Sequence, residues 1–405
     1  MTGPSPPPGG RSGRAPSRPK DLAIPEYGRR SLADLLPSIV AALGVPGYDD
    51  VLGLTPALTD IRRVILLLVD GMGELNLAEH ATIAPTLTSL TSPTGAIDAS
   101  SPSTTPVSLA SLGTGVPPGE HGIVGFTVAI PGTDRLLTHI DWREDPEPRE
   151  WQPVPTVFET ALRSGVSVRA SGPASFIGSG LTEAAYRGAS YRPAVSAGDL
   201  VSQAVAAAAE GERSLVYAYH GALDLTGHVR GCTSAAWRYQ LAQVDLIAAT
   251  ILAELPADTA LVVTADHGMI DVASSDKIDM DASQDEPGAE QARGLSAGVR
   301  LVAGEPRARY VYTQPGAATD VLAAWTATLG NRAWVQSREE AIDAGLFGSS
   351  VPTAHAERIG DVVAWARDNH AITASRREPG AHSLIGYHGS LTDAELSVPV
   401  RIGRT

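Results

Sequence analysis

One segment decides the fold, because it is an apolar run that ends in a carboxylate and an imidazole: Leu261-Val262-Val263-Thr264-Ala265-Asp266-His267-Gly268-Met269. Such a run is typical of a buried strand, and aspartate and histidine are both common metal ligands. Two other apolar runs are followed by the same kinds of residue: residues 64–69 before Asp70, and residues 215–219 before Asp224 and His228. Because ligands of open α/β sheets bind outside the carboxyl ends of the strands, we expect the three segments to converge on one site.

The chain alternates between strand-like and helix-like segments up to residue 270. This alternation predicts an α/β fold with a mostly parallel central sheet sandwiched by helices. After that point the order changes to β-β-α-β-α, which indicates a small α+β capping insertion over residues 271–375. The predicted core therefore consists of residues 26–270 and 376–405. Residues 1–25 are rich in proline, glycine and arginine and predict a disordered tail.

The composition limits the classes of function. The chain of 405 residues has a formal net charge of −14, which argues against a general nucleic-acid-binding protein because such proteins present a basic stripe. Its apolar runs are shorter than the ~20 residues that cross a bilayer, so we expect no membrane partner. One cysteine, Cys232, excludes an intrachain disulfide and is compatible with a reducing compartment. With no apolar segment after the basic tail, we expect a cytoplasmic location, and the oligomeric state stays open.

A second chemical element lies between residues 101 and 115, where hydroxyl residues precede a helix-compatible run that ends in Thr114-Gly115. Thr105 fits a helix N-cap with Pro106 at the first helical position. This is the pattern of an ordinary helix start. The same geometry also directs a hydroxyl and free backbone N–H groups at an incoming anion, so a phosphoryl group would fit there.

Together these blocks resemble the alkaline phosphatase superfamily and, within it, the nucleotide pyrophosphatase/phosphodiesterase branch. Each block alone is unspecific, whereas their joint occurrence in the family's order is specific. The blocks are Asp70-Gly71, the helix from Thr105 to Thr114-Gly115, Pro118-Gly119-Glu120-His121-Gly122-Ile123, Asp224 to His228, Asp266 to Met269, and Gly386-Tyr387-His388-Gly389.

The resemblance implies two divalent metal ions, zinc in the first place and manganese as the alternative. It assigns one ion to Asp224, His228 and His388, and the other to Asp70, Asp266, His267 and the nucleophile oxygen of Thr105. Nitrogen and oxygen ligands without a thiolate are also what catalytic zinc or manganese tolerates. Taken singly, these residues have ordinary structural roles open to them, such as a turn aspartate before a glycine.

Two threonines compete for the position of the nucleophile. The family's spacing, counted back from Thr114-Gly115, leads to Thr105, which we choose. The Thr-x-Pro pattern of many relatives fits Thr104 instead. The same count puts Ser108 where the phosphodiesterases carry an asparagine that contacts the phosphoryl oxygen, so we expect Ser108 to bind substrate. This difference leaves the substrate preference open.

The implied reaction is hydrolysis of a phosphodiester or pyrophosphate bond, in a small phosphodiester or nucleotide substrate, through a covalent phosphothreonine intermediate. Monoesterases of the superfamily usually neutralise the additional substrate charge with an arginine or a further metal ion. Here only distant residues such as Arg187 or Arg230 could supply that charge. Phosphomonoesterase, phosphonate hydrolase and phosphosugar mutase activities on the same metal core are alternatives, as is a non-catalytic metal-binding protein.

Overall fold

The computed structural model describes residues 22–143 and 145–404. Most of the predicted tail, residues 1–21, lies outside the described residues. Leu22, Ala23 and Ile24, which the sequence assigned to that tail, instead pack against the hydrophobic core. None of the helices in the described ranges combines the length and the apolar character that a membrane span requires.

The strands and helices alternate along the chain as follows. The strands are β1 (Arg63–Val69), β2 (Ile97–Asp98), β3 (Thr127–Ala129), β4 (Leu136–Thr138), β5 (Ser167–Pro173), β6 (Ser190–Ala194), β7 (Ser214–His220), β8 (Thr259–Thr264), β9 (Ile270–Asp271), β10 (Lys277–Asp279), β11 (Val299–Glu305), β12 (Ala308–Thr313), β13 (Ala333–Ser337), β14 (Val362–Ala366), β15 (Ala371–Thr373), β16 (Gly386–Tyr387), β17 (Ser397–Val398) and β18 (Arg401–Arg404). The helices are α1 (Leu32–Ala42), α2 (Glu74–Glu79), α3 (Pro85–Ser89), α4 (Thr105–Thr114), α5 (Pro118–His121), α6 (Pro148–Trp151), α7 (Val157–Arg163), α8 (Gly180–Tyr186), α9 (Ala197–Ala208), α10 (Ala222–Arg230), α11 (Ala235–Ala253), α12 (Ala289–Ser296), α13 (Ala318–Leu329), α14 (Arg338–Asp343), α15 (Thr353–Ala356), α16 (Pro379–Ser383) and α17 (Asp393–Leu396).

The central sheet has six strands in the order β18-β8-β1-β7-β5-β6. Strands β8, β1, β7, β5 and β6 pair in parallel, and β18 closes one edge in the antiparallel direction. Residues 64–69 of β1 are fully buried, as expected for a strand covered on both faces. The predicted mostly parallel sheet is confirmed.

Helices cover the sheet in two separate groups. One group packs α1, α4, α7 and α8 against one another, and the other packs α9 and α10 against α11. This arrangement explains why the parallel strands read as continuous apolar runs, because neither face of such a sheet meets water.

A second sheet forms the lobe that the sequence assigned to a capping insertion. It is antiparallel, with the strand order β11-β12-β14-β13, and it has its own hydrophobic cluster around Trp325. The elements β11, β12, α13, β13 and α14 follow the predicted β-β-α-β-α order. The proposed boundaries at residues 271 and 375 stay a prediction.

A buried ion pair joins this lobe to the core. Arg307, in the turn between β11 and β12, donates from Nε to Glu395 Oε1 at 2.8 Å and from Nη2 to Glu395 Oε2 at 2.5 Å. Both side chains are fully buried. Glu395 lies in α17 and also accepts from the backbone N–H of Ser390, so the lobe contacts the segment that follows His388.

Candidate metal centre

Three neighbouring strands of the central sheet deliver most of the candidate ligands. Asp70 follows β1 directly, and Asp266 and His267 come just after β8. Strand β7 leads into α10, which carries Asp224 and His228. Because β7 and β8 both pair in parallel with β1, their carboxyl ends share one edge of the sheet. The predicted convergence of the three segments is therefore present in the structure.

Gly71 makes the turn after Asp70 sterically feasible. Its φ is +72°, in the left-handed region that favours glycine. A Cβ at this position would lie 2.9 Å from Met269 Sδ and 3.0 Å from Asp224 Cβ. Glycine thus lets the chain after Asp70 pass close to both other strand ends.

The first group of ligand atoms, here named the Asp70 cluster, consists of Asp70, Thr105, Asp266 and His267. His267 Nε2 lies 3.4 Å from Asp70 Oδ1 and 3.5 Å from Asp266 Oδ2. The hydroxyl oxygen of Thr105 lies 3.2 Å from His267 Nε2 and 3.5 Å from Asp70 Oδ1. These four side chains surround one point in space.

The second group, the Asp224 cluster, consists of Asp224, His228 and His388. His228 Nε2 lies 3.3 Å from Asp224 Oδ2 and 3.2 Å from His388 Nε2. The rings of His267 and His388 stack with their centroids 3.7 Å apart, so the two clusters are in direct contact.

Backbone carbonyls orient the three histidines. The Nδ1 atoms of His228, His267 and His388 lie 2.8, 3.1 and 3.1 Å from the carbonyl oxygens of Gly386, Gly268 and Ser103. A carbonyl only accepts, so each Nδ1 carries the hydrogen and each Nε2 presents a lone pair to the clusters. This is the usual arrangement of metal-bound histidine.

The donor set fits divalent metal ions. Ligand atoms around one tetrahedral zinc, at bond lengths of about 2.0–2.1 Å, lie about 3.3 Å apart, which is the spacing in both clusters. Asp224 Oδ1 and Asp266 Oδ2 are buried without a hydrogen-bond partner. The facing Nε2 lone pairs of His228 and His388 repel each other unless a cation lies between them. Two groups of three side chains bring their ligand atoms within 4.8 Å of one another, and both include His267: Asp70 with Asp266 and His267, and Asp224 with His267 and His388.

The electrostatics of the protein alone favour a cation at this place. Burial, followed by the charge of Asp266, raises the pKa of Asp70 well above its ordinary value. Burial and the charge of Asp70 do the same for the pKa of Asp224, and burial raises the pKa of Asp266 to about 6. Burial lowers the pKa of His267 to about 4, so its imidazole is neutral at pH 7. Bound divalent ions would supply the missing positive charge.

The structure distinguishes the two threonines. Helix α4 begins at Thr105 with Thr104 as its N-cap, so the predicted cap position was wrong by one residue. Thr104 is fully buried, and its hydroxyl faces Glu305 without a hydrogen bond of standard geometry. Only Thr105 brings its hydroxyl to the Asp70 cluster. Ser108 is also fully buried and does not line the cavity at the site, so its expected role in substrate binding finds no support.

Two residues that the sequence analysis did not single out contact the ligands. The Tyr219 hydroxyl, from β7, donates to Asp70 Oδ2. Glu305, from the lobe strand β11, is buried with Oε2 3.5 Å from His388 Nδ1. The tyrosine could have been suspected from its place at a strand end. No sequence signal connects the glutamate with His388.

A cavity of about 380 Å³ opens beside the two clusters. Asp70, Thr105, Asp224, His228 and His388 form one wall. The remaining wall is mainly apolar or aromatic: Leu109, Phe126, Ile140, Phe176, Ser179, Leu181, Thr182, Tyr186, Tyr219 and Leu225. We call this space the site cavity.

Neither candidate arginine lines the site cavity. The Arg187 guanidinium is directed at backbone carbonyls, those of Gln152 at 3.2 Å and Val154 at 2.6 Å. Arg230 ends α10 and is exposed. No lysine or arginine is present in the wall of the cavity as far as the chain is described.

Comparisons with known proteins agree with this geometry. The profile of the type I phosphodiesterase / nucleotide pyrophosphatase family matches residues 64–391. No protein of curated function matches the chain by sequence.

Solved structures of related fold include three from two kinds of hydrolase. Murine ectonucleotide pyrophosphatase / phosphodiesterase 5 has a TM-score of 0.64 at 18% identity, over 84% of this chain and 87% of that chain. An inactive variant of the mouse protein, solved in complex with AMP, has a TM-score of 0.64 at 17% identity, over 84% of this chain and 87% of that chain. Phosphonoacetate hydrolase from Sinorhizobium meliloti 1021, in complex with phosphonoformate, has a TM-score of 0.61 at 21% identity, over 85% of this chain and 90% of that chain.

Proposed function

The chain belongs to the type I phosphodiesterase / nucleotide pyrophosphatase family, and on this premise we propose that it is a two-metal phosphodiesterase that acts through a phosphothreonine intermediate. The observation that carries the proposal is the position of Thr105 Oγ1. It lies 3.2 Å from His267 Nε2 and 3.5 Å from Asp70 Oδ1, in the wall of the site cavity. This is the only threonine hydroxyl of the pair Thr104 and Thr105 that reaches both the ligands and the cavity.

The residues that would hold the ions are those of the two clusters. Asp224, His228 and His388 would hold one ion, and Asp70, Asp266, His267 and Thr105 the other. The donor set favours zinc, with manganese as the alternative. When bound, the ions would supply Lewis-acid stabilisation of the phosphoryl charge.

The reaction has two half-reactions on Thr105. First, Thr105 Oγ1 forms a bond to phosphorus while the bond from phosphorus to one ester oxygen breaks, which releases an alcohol. A water molecule then adds to phosphorus, the Oγ1–P bond breaks, and Thr105 regains its hydroxyl. The N-terminus of α4 lies at the attacking oxygen, and its dipole stabilises the anionic phosphoryl group in both steps.

The charge around the site cavity favours a diester. Its wall contains carboxylates and histidines, and no lysine or arginine among the described residues. A monoester or a pyrophosphate carries more negative charge than a diester, and a carboxylated phosphonate does so as well. Each of these substrates would need positive charge beyond that of the two ions, and the described residues of this wall include no lysine or arginine to supply it. We therefore rank diester hydrolysis above the monoesterase, pyrophosphatase and phosphonate hydrolase activities.

The expected partner is a small phosphodiester, which includes diesters of nucleotides. A cytoplasmic location is also part of the proposal, and the lone cysteine, Cys232, which is buried, is compatible with it.

The deciding experiment compares hydrolysis of bis-p-nitrophenyl phosphate and p-nitrophenyl phosphate by zinc-loaded protein. We expect the wild type to hydrolyse the diester faster than the monoester. In Thr105→Ala the kcat for the diester should fall by roughly 10³-fold or more, since removal of a nucleophile typically has an effect of that size or larger. Thr105→Ser should keep a measurable rate. Thr104→Ala is the matched control, because its side chain makes no capping hydrogen bond and lies outside the site cavity.

Bound metal is counted in each variant, so that loss of the nucleophile is separated from loss of the ions. Acid quenching during turnover of a slow substrate should leave a phosphoryl group on the peptide that contains Thr105. Activity within tenfold of the wild type in Thr105→Ala would refute the nucleophile. A metal-loaded wild type that hydrolyses no phosphate ester would favour the non-catalytic alternative.

A further inference from the structure

A second cavity lies next to the site cavity, outside the carboxyl ends of β5, β6 and β7. Its volume is about 470 Å³. We call it the side cavity. It is lined by Gly172, Pro173, Phe176, Ala194, Val195, Ser196, Ala197, Leu200, Tyr219, His220, Gly221, Ala222 and Leu225.

The side cavity adjoins the site cavity. Phe176, Tyr219 and Leu225 line both spaces. Tyr219 is the closest link, because its ring borders both cavities while its hydroxyl donates to Asp70. A group attached to a phosphorus atom at Thr105 would therefore lie in a space that borders the side cavity.

The lining of the side cavity is uncharged. Among the described residues that line it there is no aspartate, glutamate, lysine or arginine, and burial lowers the pKa of His220, the one imidazole among them. Phosphate, carboxylate or ammonium groups would find no partner of opposite charge there. The occupant is therefore a neutral group.

The polar side chains of the lining already have hydrogen-bond partners. Ser196 Oγ accepts from the backbone N–H of Asp199 at 3.2 Å as the cap of α9, and His220 Nε2 lies 3.3 Å from Gln240 Nε2. A sugar or a nucleobase would need several free donors and acceptors, whereas the side chains of this wall offer few beyond the Ser196 hydroxyl hydrogen and His220 Nδ1. An alkyl or acyl chain needs none.

The rim of the side cavity exposes apolar surface to water. Val195 is 88% exposed and Leu225 is 64% exposed. Both residues also line the side cavity, so their exposed apolar surface belongs to its mouth. An apolar ligand would cover them.

We propose that the side cavity binds an apolar chain esterified to the phosphorus of the substrate. The proposal rests on the proposed function and narrows it to diesters that carry one neutral, hydrophobic alcohol.

The test uses a series of p-nitrophenyl alkyl phosphates in which the alkyl group grows from methyl to hexyl. Burial of one methylene contributes about 0.8 kcal/mol, which corresponds to about a fourfold rise in kcat/KM for each added carbon. We expect the zinc-loaded wild type to show such a rise. Inhibition by the matching monoalkyl phosphates should strengthen with chain length in parallel.

Filling the side cavity should remove this dependence. Ala197→Trp at the start of α9 places an indole in the side cavity, and Ala194→Trp at the end of β6 is a second such variant if the first is unstable. Ala206→Trp is the matched control, because Ala206 is exposed on the same helix and lines neither cavity. We expect the methyl ester to be hydrolysed similarly by all variants. The rise with chain length should persist only in the wild type and the control.

Two results would overturn the inference while the proposed function stands. One is a flat response to chain length in a wild type that hydrolyses the methyl ester, and the other is an equal rise in the filled variants. A stronger preference for p-nitrophenyl thymidine 5′-phosphate, lost in Ala197→Trp, would assign the side cavity to a nucleoside instead. Failure of the metal-loaded wild type to hydrolyse any diester would reject the function and the inference together.

Discussion

Replacement of Asp266 by asparagine is expected to stabilise the metal-free protein while it removes a ligand. Asp266 Oδ1 accepts from the backbone N–H groups of Gly71 and His267, each at 3.1 Å. The amide oxygen of asparagine can accept both bonds. The other oxygen, Oδ2, is buried without a hydrogen-bond partner, and an NH₂ group there could donate to the neighbouring Asp70 carboxylate. Asp266→Asn thus keeps the contacts and removes one buried charge.

The size of the effect follows from the pKa of this carboxyl group. Burial raises the pKa of Asp266 from 3.8 to about 6. One pKa unit corresponds to about 1.4 kcal/mol, so the ionised carboxylate destabilises the metal-free native state by up to about 3 kcal/mol. Between pH 4 and 6 the native state binds the proton while the unfolded chain does not. The destabilisation is therefore complete above about pH 6 and disappears as the pH falls towards 4.

Urea unfolding in the presence of a chelator measures this difference. At pH 8 the free energy of unfolding of Asp266→Asn should exceed that of the wild type by up to about 3 kcal/mol, and at pH 4.5 by about 1 kcal/mol or less. With zinc at 100 times its dissociation constant, the free energy of unfolding of the wild type should rise by about 2.7 kcal/mol for each occupied site. Asp266→Asn should not show this rise for the site that Asp266 helps to form. A variant no more stable than the wild type at pH 8 in chelator would refute the reasoning.

Three further changes test other contacts of the site. Tyr219→Phe removes the hydroxyl that donates to Asp70. Calorimetric titration should then show a metal affinity reduced about 10–100-fold, and an unchanged affinity would contradict this role of Tyr219. Glu305→Gln should lower the metal affinity in one of the two binding phases of the same titration, because the Glu305 carboxyl group contacts His388 of the Asp224 cluster. An equal loss of affinity in both phases would argue against this role. Gly268→Ala would place its Cβ 2.0 Å from a backbone carbonyl and should lower the free energy of unfolding by about 1–3 kcal/mol. Gly198→Ala, whose Cβ meets nothing closer than 3.9 Å, is the control and should change it by less than about 1 kcal/mol.

The arrangement of the strand-end ligands could be predicted from the sequence because it depends on local patterns. An apolar run that ends in Asp70 or Asp266 marks the end of a buried strand, and parallel pairing brings such ends to one edge. The helix at Thr105 was predicted one residue late, since the sequence alone does not fix whether Thr104 or Thr105 takes the extended backbone of the cap.

The remaining parts of the site depend on contacts between distant segments. Glu305 approaches His388 because the lobe packs on the core, and no periodicity in the sequence encodes that packing. The walls of the site cavity likewise combine the segments around Phe126, Ile140 and Phe176 with strand β7 and helices α4, α8 and α10. The family's spacing placed Ser108 at the substrate, whereas its side chain is fully buried and does not line the site cavity.

The buried pair of Arg307 and Glu395 has a consequence for motion. Separating the lobe from the core would break both charge-assisted hydrogen bonds between these side chains, each of which contributes about 1.5–3 kcal/mol. At about 1.4 kcal/mol per factor of ten, a detached lobe would be populated on the order of 10²–10⁴-fold less than it would be without these two bonds. Substrate exchange therefore proceeds with the lobe in place, through the open side of the cavities. Amide protons of β12 and of the segment from His388 to α17 are accordingly expected to exchange with solvent as one cooperative unit.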